Sequence, residues 1–247
     1  MSAFVAAVCQ MDSKDDKQAN LDRALGLVDE AAASGADFVA LPEMMSYIGE
    51  KRRYPDVAES LNGEIVQQFS ARAREHDMYV HTGSFFERIP DSDRVYNTSV
   101  MIGPDGDVLD SYRKVHLFDI ELDGDVEYRE SERVAPGDSA VTVDTELATF
   151  GLSICYDLRF PMLYQTMAHR GANVLVVPSA FTMYTGKDHW EPLLRARAIE
   201  NQSYVVAPAQ IGDKPSAPTT YGRSLVVDPW GNVISQAKDR EEVITAT

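Results

Sequence analysis

The sequence predicts an α/β fold in which two β-sheets pack face to face with helices outside, an α-β-β-α sandwich. Three observations carry this prediction. Short apolar runs alternate with segments of helical period along the chain. The alternation occurs in two halves, each with a sheet and a pair of covering helices. The 44% apolar content suffices for a shared core, and no linker interrupts residues 1–247, so we expect a single domain.

The first half of the chain predicts three strands, two helices between them and a closing hairpin. The first helix is predicted from apolar residues at helical spacing, and Gly35 is expected to end it. The hairpin is predicted from a Gly-Pro-Asp-Gly turn between two apolar runs. The predicted elements are strand 4–10, helix 15–33, strand 38–41, helix 61–76, strand 79–86 and hairpin strands 97–102 and 108–114.

The second half repeats this alternation after a polar stretch, 119–136, which we expect to be an irregular lid or rim. Proline favours the first turn of a helix, so Pro161 indicates a helix just after the apolar strand 150–154. Strand 173–177 ends on a proline, as strand 38–41 does. The other predicted elements are strand 141–144, helix 189–202, strand 204–210, loop 214–218 and a final hairpin of strands 221–227 and 233–236.

The composition argues against several classes of protein. No apolar run approaches the roughly 20 residues of a membrane span, and the N-terminus lacks the basic segment of a signal peptide, so we expect no membrane partner. With a net charge of −16 and no basic stripe, nucleic-acid binding is not expected either. Two cysteines, Cys9 and Cys155, make no disulfide framework and fit a reducing cytoplasm.

Among the charged residues, Asp outnumbers Glu and Arg outnumbers Lys. The chain has 23 Asp against 16 Glu, and 16 Arg against 7 Lys. A surface rich in Asp and poor in Lys suits high salt, where self-repulsion is screened. We therefore expect a halophilic protein, and the alternative is an ordinary acidic protein of the cytoplasm.

Cys155 is the first candidate for chemistry. It follows strand 150–154 at a strand-to-helix junction, where backbone N–H groups and the helix N-terminus would stabilise a thiolate and an oxyanion. A lone cysteine is more commonly an inert core residue. The polar run that follows it, 156–159, argues against a plain core position.

Glu43 and Lys114 are the next candidates. Glu43 stands just past the C-terminal end of strand 38–41, where open sheets place their ligands. Lys114 ends a hairpin strand among apolar and aromatic neighbours, which would partly desolvate it. Taken singly, each residue is more commonly a solvated surface group. Their combination with Cys155 is what favours a site.

These three positions resemble the Glu-Lys-Cys triad of the nitrilase superfamily of carbon–nitrogen hydrolases. The resemblance covers nearly the whole chain and narrows to the Nit branch of amidases, which includes deaminated-glutathione amidases and omega-amidases. Related chains usually continue past the final hairpin, whereas this one ends at Thr247. The matching segments are 41–43 (Leu-Pro-Glu), 112–119 (Tyr-Arg-Lys-Val-His-Leu-Phe-Asp), 129–131 (Arg-Glu-Ser), 136–137 (Pro-Gly), 153–161 (Ser-Ile-Cys-Tyr-Asp-Leu-Arg-Phe-Pro), 178–181 (Pro-Ser-Ala-Phe), 189–191 (His-Trp-Glu), 195–200 (Arg-Ala-Arg-Ala-Ile-Glu) and 227–231 (Val-Asp-Pro-Trp-Gly).

The resemblance implies a sandwich fold of the nitrilase type, a homodimer or higher oligomer joined through helices, and no cofactor or metal. It also implies that Cys155 attacks a small amide and forms a thioester, with Glu43 as the base. The Lys114 ammonium and the backbone N–H of Tyr156 would hold the oxyanion. Glu130 matches the second glutamate of the branch and would position either Lys114 or the substrate.

Several further residues are candidates for substrate binding. Arg159 either pairs with Asp157 and braces the turn, or binds a substrate carboxylate with its guanidinium fork. The five histidines show no metal-ligand spacing of the zincin kind. Aromatic residues that could form pocket walls, or equally belong to the core, are Tyr47, Phe181 and Tyr184.

The sequence therefore predicts a thiol amidase that converts a small primary amide, in the first place an ω-amide of a carboxylic acid, to carboxylate and ammonia. Within enzymes, the alternative is hydrolysis of a nitrile or of an N-carbamoyl amine. Outside enzymes, the alternative is an inactive scaffold of the same fold.

Overall fold

The computed structural model describes residues 3–122 and 126–247. No helix in those two ranges is long and apolar enough to cross a membrane. The α-helices are α1 (Lys17–Ala33), α2 (Tyr54–Val57), α3 (Glu64–His76), α4 (Pro161–His169) and α5 (Met183–Asn201). The strands are β1 (Ala6–Gln10), β2 (Phe38–Ala40), β3 (Tyr79–His81), β4 (Phe85–Arg88), β5 (Val95–Ile102), β6 (Val108–Arg113), β7 (Asp119–Leu122), β8 (Val126–Arg129), β9 (Val134–Ala135), β10 (Val141–Asp144), β11 (Thr149–Leu152), β12 (Val174–Val176), β13 (Tyr204–Ala207), β14 (Ile211–Lys214), β15 (Ala217–Tyr221), β16 (Leu225–Val227), β17 (Val233–Gln236) and β18 (Glu242–Ala246).

Two mixed sheets form the centre of the molecule. In the first, the strand order is β18-β1-β2-β3-β5-β4, and β6 and β9 also pair with β5. In the second, the order is β10-β11-β12-β13-β16-β17. Strands β1, β2 and β3 are parallel, as are β11, β12 and β13, because each is joined to the next by a crossover segment that contains a helix.

The inner faces of the two sheets share one hydrophobic core. Phe38 of the first sheet packs against Phe150 of the second, with ring centroids 4.7 Å apart and ring planes tilted by 39°. The same core reaches Trp190 of α5, while α1 and α3 cover the outer face of the first sheet in a separate cluster. This arrangement confirms the predicted α/β fold, with two sheets face to face and helices outside.

One predicted strand, 79–86, is divided in two by a glycine. Gly83 has a φ of +71°, which glycine adopts without strain, and a Cβ there would lie 2.1 Å from the carbonyl oxygen of Pro42. The chain therefore leaves the ladder between β3 and β4. The close approach brings this turn against the loop that carries Glu43.

Several loops predicted as irregular are ordered. In the predicted lid 119–136, the structure forms the β7–β8 hairpin, a 3₁₀ turn and β9, while residues 123–125 of that prediction lie outside the described residues. The predicted loop 214–218 contains the turn of the β14–β15 hairpin. Local composition could not reveal these pairings, because the partner strands supply the missing hydrogen bonds.

The predicted helix 189–202 begins six residues earlier, at Met183. The side chain of Thr182 caps it by accepting a hydrogen bond from the backbone N–H of Thr185. At the chain's other end, β18 was not predicted at all. It pairs antiparallel with β1 and completes that edge of the first sheet.

Candidate active site

Seven of the predicted site residues line one pocket at the strand ends, namely Glu43, Lys114, Glu130, Cys155, Tyr156, Arg159 and Phe181. Glu43 follows β2 and Cys155 follows β11, so each stands past the C-terminal end of a parallel strand. Lys114 directly follows β6, and Glu130 opens the 3₁₀ turn after β8. The two sheets thus bring together groups that are far apart in the chain.

Lys114 lies between two carboxylates with its side chain almost wholly buried. Its Nζ donates to Glu43 Oε1 at 2.8 Å and contacts both oxygens of Glu130, at 3.1 and 2.9 Å. The ammonium has three hydrogens, and a shared one can serve both Glu130 oxygens. One hydrogen is then available for an oxyanion in the pocket.

Burial and charge oppose each other at this cluster. Burial alone lowers the pKa of Lys114, but the negative charges of Glu130 and Glu43 outweigh it, so the pKa lies well above its usual range. For Glu130, burial raises the pKa, the Lys114 ammonium opposes the rise and Glu43 adds to it. The lysine is therefore a permanent cation in this site.

The two oxygens of the Glu43 carboxylate have different partners. Oε1 accepts from Lys114 and from Asn97 Nδ2, the latter at 3.0 Å. Oε2 accepts from the backbone N–H of Ala180 at 2.8 Å. On the far side, Gln210 Nε2 donates to the Glu43 backbone carbonyl at 3.0 Å, which anchors the loop. These donors stabilise an ionised carboxylate.

Cys155 is held in an uncommon backbone conformation. Its φ is +50°, in the left-handed region, which costs a non-glycine residue about 1–2 kcal/mol. Its backbone N–H donates to the Pro178 carbonyl at 3.0 Å, which secures the turn. Helix α4 begins at Pro161, as predicted, and a five-residue 3₁₀ turn that the sequence did not predict lies between Cys155 and that helix. Helix-end stabilisation of a thiolate is correspondingly small.

The environment of the thiol also differs from the expectation of a stabilised thiolate. Burial raises the pKa of Cys155 well above its ordinary value, and the charge of Glu43 adds to the rise. The Lys114 ammonium and the Ala180 N–H oppose it only in part. Cys155 is thus a thiol at rest, and it could act as a nucleophile only after losing its proton to a base.

Tyr156 is the second residue of the 3₁₀ turn that Cys155 opens. The first N–H groups of a helical turn lack acceptors within the turn. Its backbone N–H is therefore available beside the nucleophile, and its side chain lines the pocket.

Asp157 braces the nucleophile turn, but without Arg159. Its carboxylate accepts from the Tyr112 hydroxyl at 2.7 Å, from the backbone N–H of Ile154 at 2.8 Å and from the backbone N–H of His116 at 2.9 Å. The His116 ring nitrogen Nδ1 is also 2.7 Å from this carboxylate. The alternative of an Asp157–Arg159 brace is not what the structure has.

Arg159 instead lines the pocket. Its guanidinium lies 5.6 Å from the ring centroid of Tyr156 and 5.7 Å from that of Phe181, and Nη2 is 3.2 Å from His189 Nδ1. Within residues 3–122 and 126–247, no carboxylate forms an ion pair with it. A pocket cation with aromatic neighbours and no counter-ion is suited to an anionic ligand.

The predicted aromatic wall is correct in one position of three. Phe181 lines the pocket. Tyr47 is fully buried and packs edge-on against Tyr54 instead, and Tyr184 is 69% exposed outside the pocket. Aromatic character alone does not reveal which side of a loop a ring faces.

Sequence reasoning missed several pocket groups. Tyr54 and Tyr128 line the pocket, and so does Lys214, whose pKa burial lowers to about 8 despite its 2.7 Å contact with Asp12. Ala180 acts through its backbone, so no side-chain signal exists. Lys214 is one of only seven lysines in an acidic chain, and this rarity could have marked it as a candidate.

In the described ranges, no group of three or more His, Cys, Asp or Glu side chains could hold a metal ion.

Comparison with known sequences identifies relatives over nearly the whole chain. Residues 5–247 match the family model described as carbon-nitrogen hydrolase. The omega-amidase NIT2 of Mus musculus is 43% identical over 244 residues, which cover 99% of this chain and 88% of the relative. These matches confirm the resemblance indicated by the motifs.

Comparison with solved structures identifies the same family relationship. The NitFhit protein of C. elegans superposes with a TM-score of 0.92 at 41% identity, over 98% of this chain and 60% of that one. Nit3 of Saccharomyces cerevisiae, a member of branch 10 of the nitrilase superfamily, gives a TM-score of 0.89 at 36% identity, over 98% of this chain and 89% of that one.

Proposed function

The chain belongs to the carbon-nitrogen hydrolase family, and on that premise we propose that it is a cysteine-dependent amidase with the triad Glu43, Lys114 and Cys155. Its substrate is a small primary amide, which it converts to carboxylate and ammonia. One observation carries the assignment. A carboxylate, an ammonium and a thiol converge in a single buried pocket, with the thiol on a strained turn.

The first half-reaction forms a thioester. Glu43 accepts the Cys155 proton as the sulfur attacks the amide carbonyl carbon and a C–S bond forms. The Lys114 ammonium and the Tyr156 N–H stabilise the resulting oxyanion. When the intermediate collapses, the C–N bond breaks and Glu43 returns the proton to the nitrogen, which leaves as ammonia.

The second half-reaction consumes water. Glu43, again a free carboxylate, takes a proton from a water molecule that attacks the thioester carbonyl. The C–S bond then breaks, the carboxylic acid leaves and Cys155 recovers its proton. Glu130 keeps Lys114 in place through both steps, which its two contacts with Nζ support.

An ammonia-release assay over small amides, nitriles and N-carbamoyl amines tests the reaction class. We expect the amides to give the highest kcat/KM. A clear preference for nitriles or carbamoyl compounds would assign the site to another branch of the family. No turnover of any of them would favour an inactive scaffold.

We further propose that the preferred substrate is an ω-amide of a dicarboxylic or 2-oxo-dicarboxylic acid. Omega-amidase NIT2 relatives support this choice, and so does Arg159, a pocket cation near the nucleophile turn. A guanidinium can grip the distal carboxylate with two hydrogen bonds. Such a contact contributes roughly 2–3 kcal/mol, or about 30- to 150-fold in kcat/KM.

Arg159→Gln is therefore expected to erase the preference for succinamate over butyramide, while Arg159→Lys keeps part of it. The kcat/KM of both substrates is measured for each variant. Arg170→Gln, an exposed arginine at the end of α4, serves as the matched control and should keep the wild-type ratio. An unchanged ratio in Arg159→Gln would exclude carboxylate recognition by this residue.

The exposed apolar side chains on α4 and α5 support a homodimer or higher oligomer formed through these helices. They are Met162, Met183, Tyr184 and Ile199, exposed by 70%, 45%, 69% and 52%. Sedimentation equilibrium measures the mass of the assembly directly.

We also assign the protein to the cytoplasm, which Cys9 and Cys155 support because both thiols are free.

The excess of acidic residues supports a salt-adapted protein. With 39 acidic against 23 basic residues, self-repulsion exceeds what ion pairs can offset at low salt. The unfolding temperature is therefore expected to rise between low and molar KCl, as measured by circular dichroism. A flat or falling profile would contradict halophilic adaptation and leave the amidase assignment intact.

A further inference from the structure

Asn97 lies on β5 beside the proposed base and is fully buried. Its Nδ2 donates to Glu43 Oε1 at 3.0 Å. A carboxylate can only accept hydrogen bonds, so the orientation of the amide follows: the NH₂ group faces Glu43 and the oxygen faces away.

The hydrogen bond to Glu43 is the function of the Asn97 side chain in this site. Among the described residues, Asn97 Oδ1 has no hydrogen-bond partner, and neither does Oγ of Ser99, two residues along the same strand. A buried amide that served only the fold would be expected to satisfy both of its ends. The Asn97 amide satisfies only the end that faces Glu43.

Without Asn97, each oxygen of Glu43 would keep one donor, Lys114 on Oε1 and the Ala180 N–H on Oε2. Lys114 is shared between two carboxylates, so by itself it satisfies Oε1 only in part. With Asn97 present, Oε1 accepts two hydrogen bonds from side chains. Among the described residues, Oε2 accepts only the N–H of Ala180, which lies two residues after Pro178, whose carbonyl accepts the N–H of Cys155. Oε2 is thus the oxygen on the nucleophile's side.

We propose that Asn97 is a positioning residue that saturates Oε1 of Glu43 and so reserves Oε2 for the proton of Cys155. The inference rests on the proposed function. In the step concerned, the S–H bond breaks and an O–H bond forms at Oε2. The electron pair left on sulfur forms the C–S bond.

The direction of the expected pH effect follows from the charge on Glu43. Asn97 donates to the ionised form of Glu43, so its removal destabilises the carboxylate relative to the carboxylic acid. The low-pH side of the pH profile of kcat/KM, its acid limb, then moves to higher pH, because the reaction needs the carboxylate. The other ionisable groups facing Glu43 are unchanged by the substitution; they are Lys114, Glu130, Cys155, Tyr54 and Tyr128.

The pH profile of kcat/KM tests the proposal. Asn97→Leu has a similar volume and no donor, and its acid limb is expected about one pH unit above that of the wild type. We expect kcat to fall about tenfold at the optimum while KM changes little. Ser99→Ala, buried on the same face without a contact to Glu43, should keep the wild-type limb. A merely structural role would lower stability without moving the limb.

Asn97→Asp keeps the shape of the side chain and covers the case in which Asn97→Leu fails to fold. Two carboxyl groups about 3 Å apart must share a proton, so the acid limb should move further in the same direction. Acid limbs that coincide with that of the wild type in the folded variants would overturn the proposal.

Alkylation of Cys155 by iodoacetamide provides a readout that needs no turnover. The thiol must still give up its proton, so the pH dependence of alkylation should shift in Asn97→Leu as the kinetic limb does. Cys155→Ala gives the background from Cys9. If the wild type hydrolyses no amide, the proposed function fails, while a shifted alkylation limb still supports Asn97 and an unshifted one still overturns it.

Discussion

Replacing Cys155 with alanine is expected to reduce amide hydrolysis to the background rate while the fold is retained. The sulfur is the atom that bonds to the carbonyl carbon, and no neighbouring group can substitute for it. Alanine fits the same turn, because cysteine already carries a Cβ at φ +50°. Ammonia release and circular dichroism measure the two effects.

Cys155→Ser should be almost as inactive. A serine hydroxyl is much harder to ionise than a thiol, and Glu43 is a carboxylate base suited to the weaker S–H bond. Cys9→Ala is the matched control, because Cys9 is buried in β1 away from the pocket and burial raises its pKa far above the ordinary value. Ammonia release above a trace in either Cys155 variant would show that the nucleophile is another residue.

Lys114→Met is expected to lower kcat by on the order of 10²-fold or more, because it removes an oxyanion donor from a site shielded from water. It should also destabilise the fold by about 3–5 kcal/mol, since Glu43 and Glu130 would remain buried without a counter-charge.

The double variant Lys114→Met with Glu130→Gln separates the two effects. Removal of one carboxylate should restore much of the stability, measured by urea unfolding, but not the activity. In the single variant, burial raises the pKa of Glu130 with no ammonium to oppose the rise, so stability should fall as pH rises. Lys187→Met, an exposed change on α5, should alter neither quantity. An effect on kcat of only a few-fold would contradict the role of Lys114.

Much of the architecture could be predicted from the sequence because its signals are local. The apolar period indicates α1, and a proline at the first helical position indicates α4. Strand β18 could not be predicted in this way. Its residues are only partly buried, and it is a strand because Ala6–Gln10 supplies the partner hydrogen bonds from the opposite end of the chain.

By itself, the sequence determined the family and the sandwich and predicted the three side chains of the proposed triad, since strand ends and short motifs are properties of neighbouring residues. The tertiary structure decided how those groups are oriented and charged. The bond from Ala180 to Glu43 spans 137 residues and that from Asn97 spans 54, so no local pattern encodes either contact. Burial likewise keeps Cys155 in its thiol form, and the hydrogen bonds of Asp157 go to groups other than Arg159. Both follow from the tertiary structure, because desolvation and hydrogen-bond partners exist only once the two sheets are packed together.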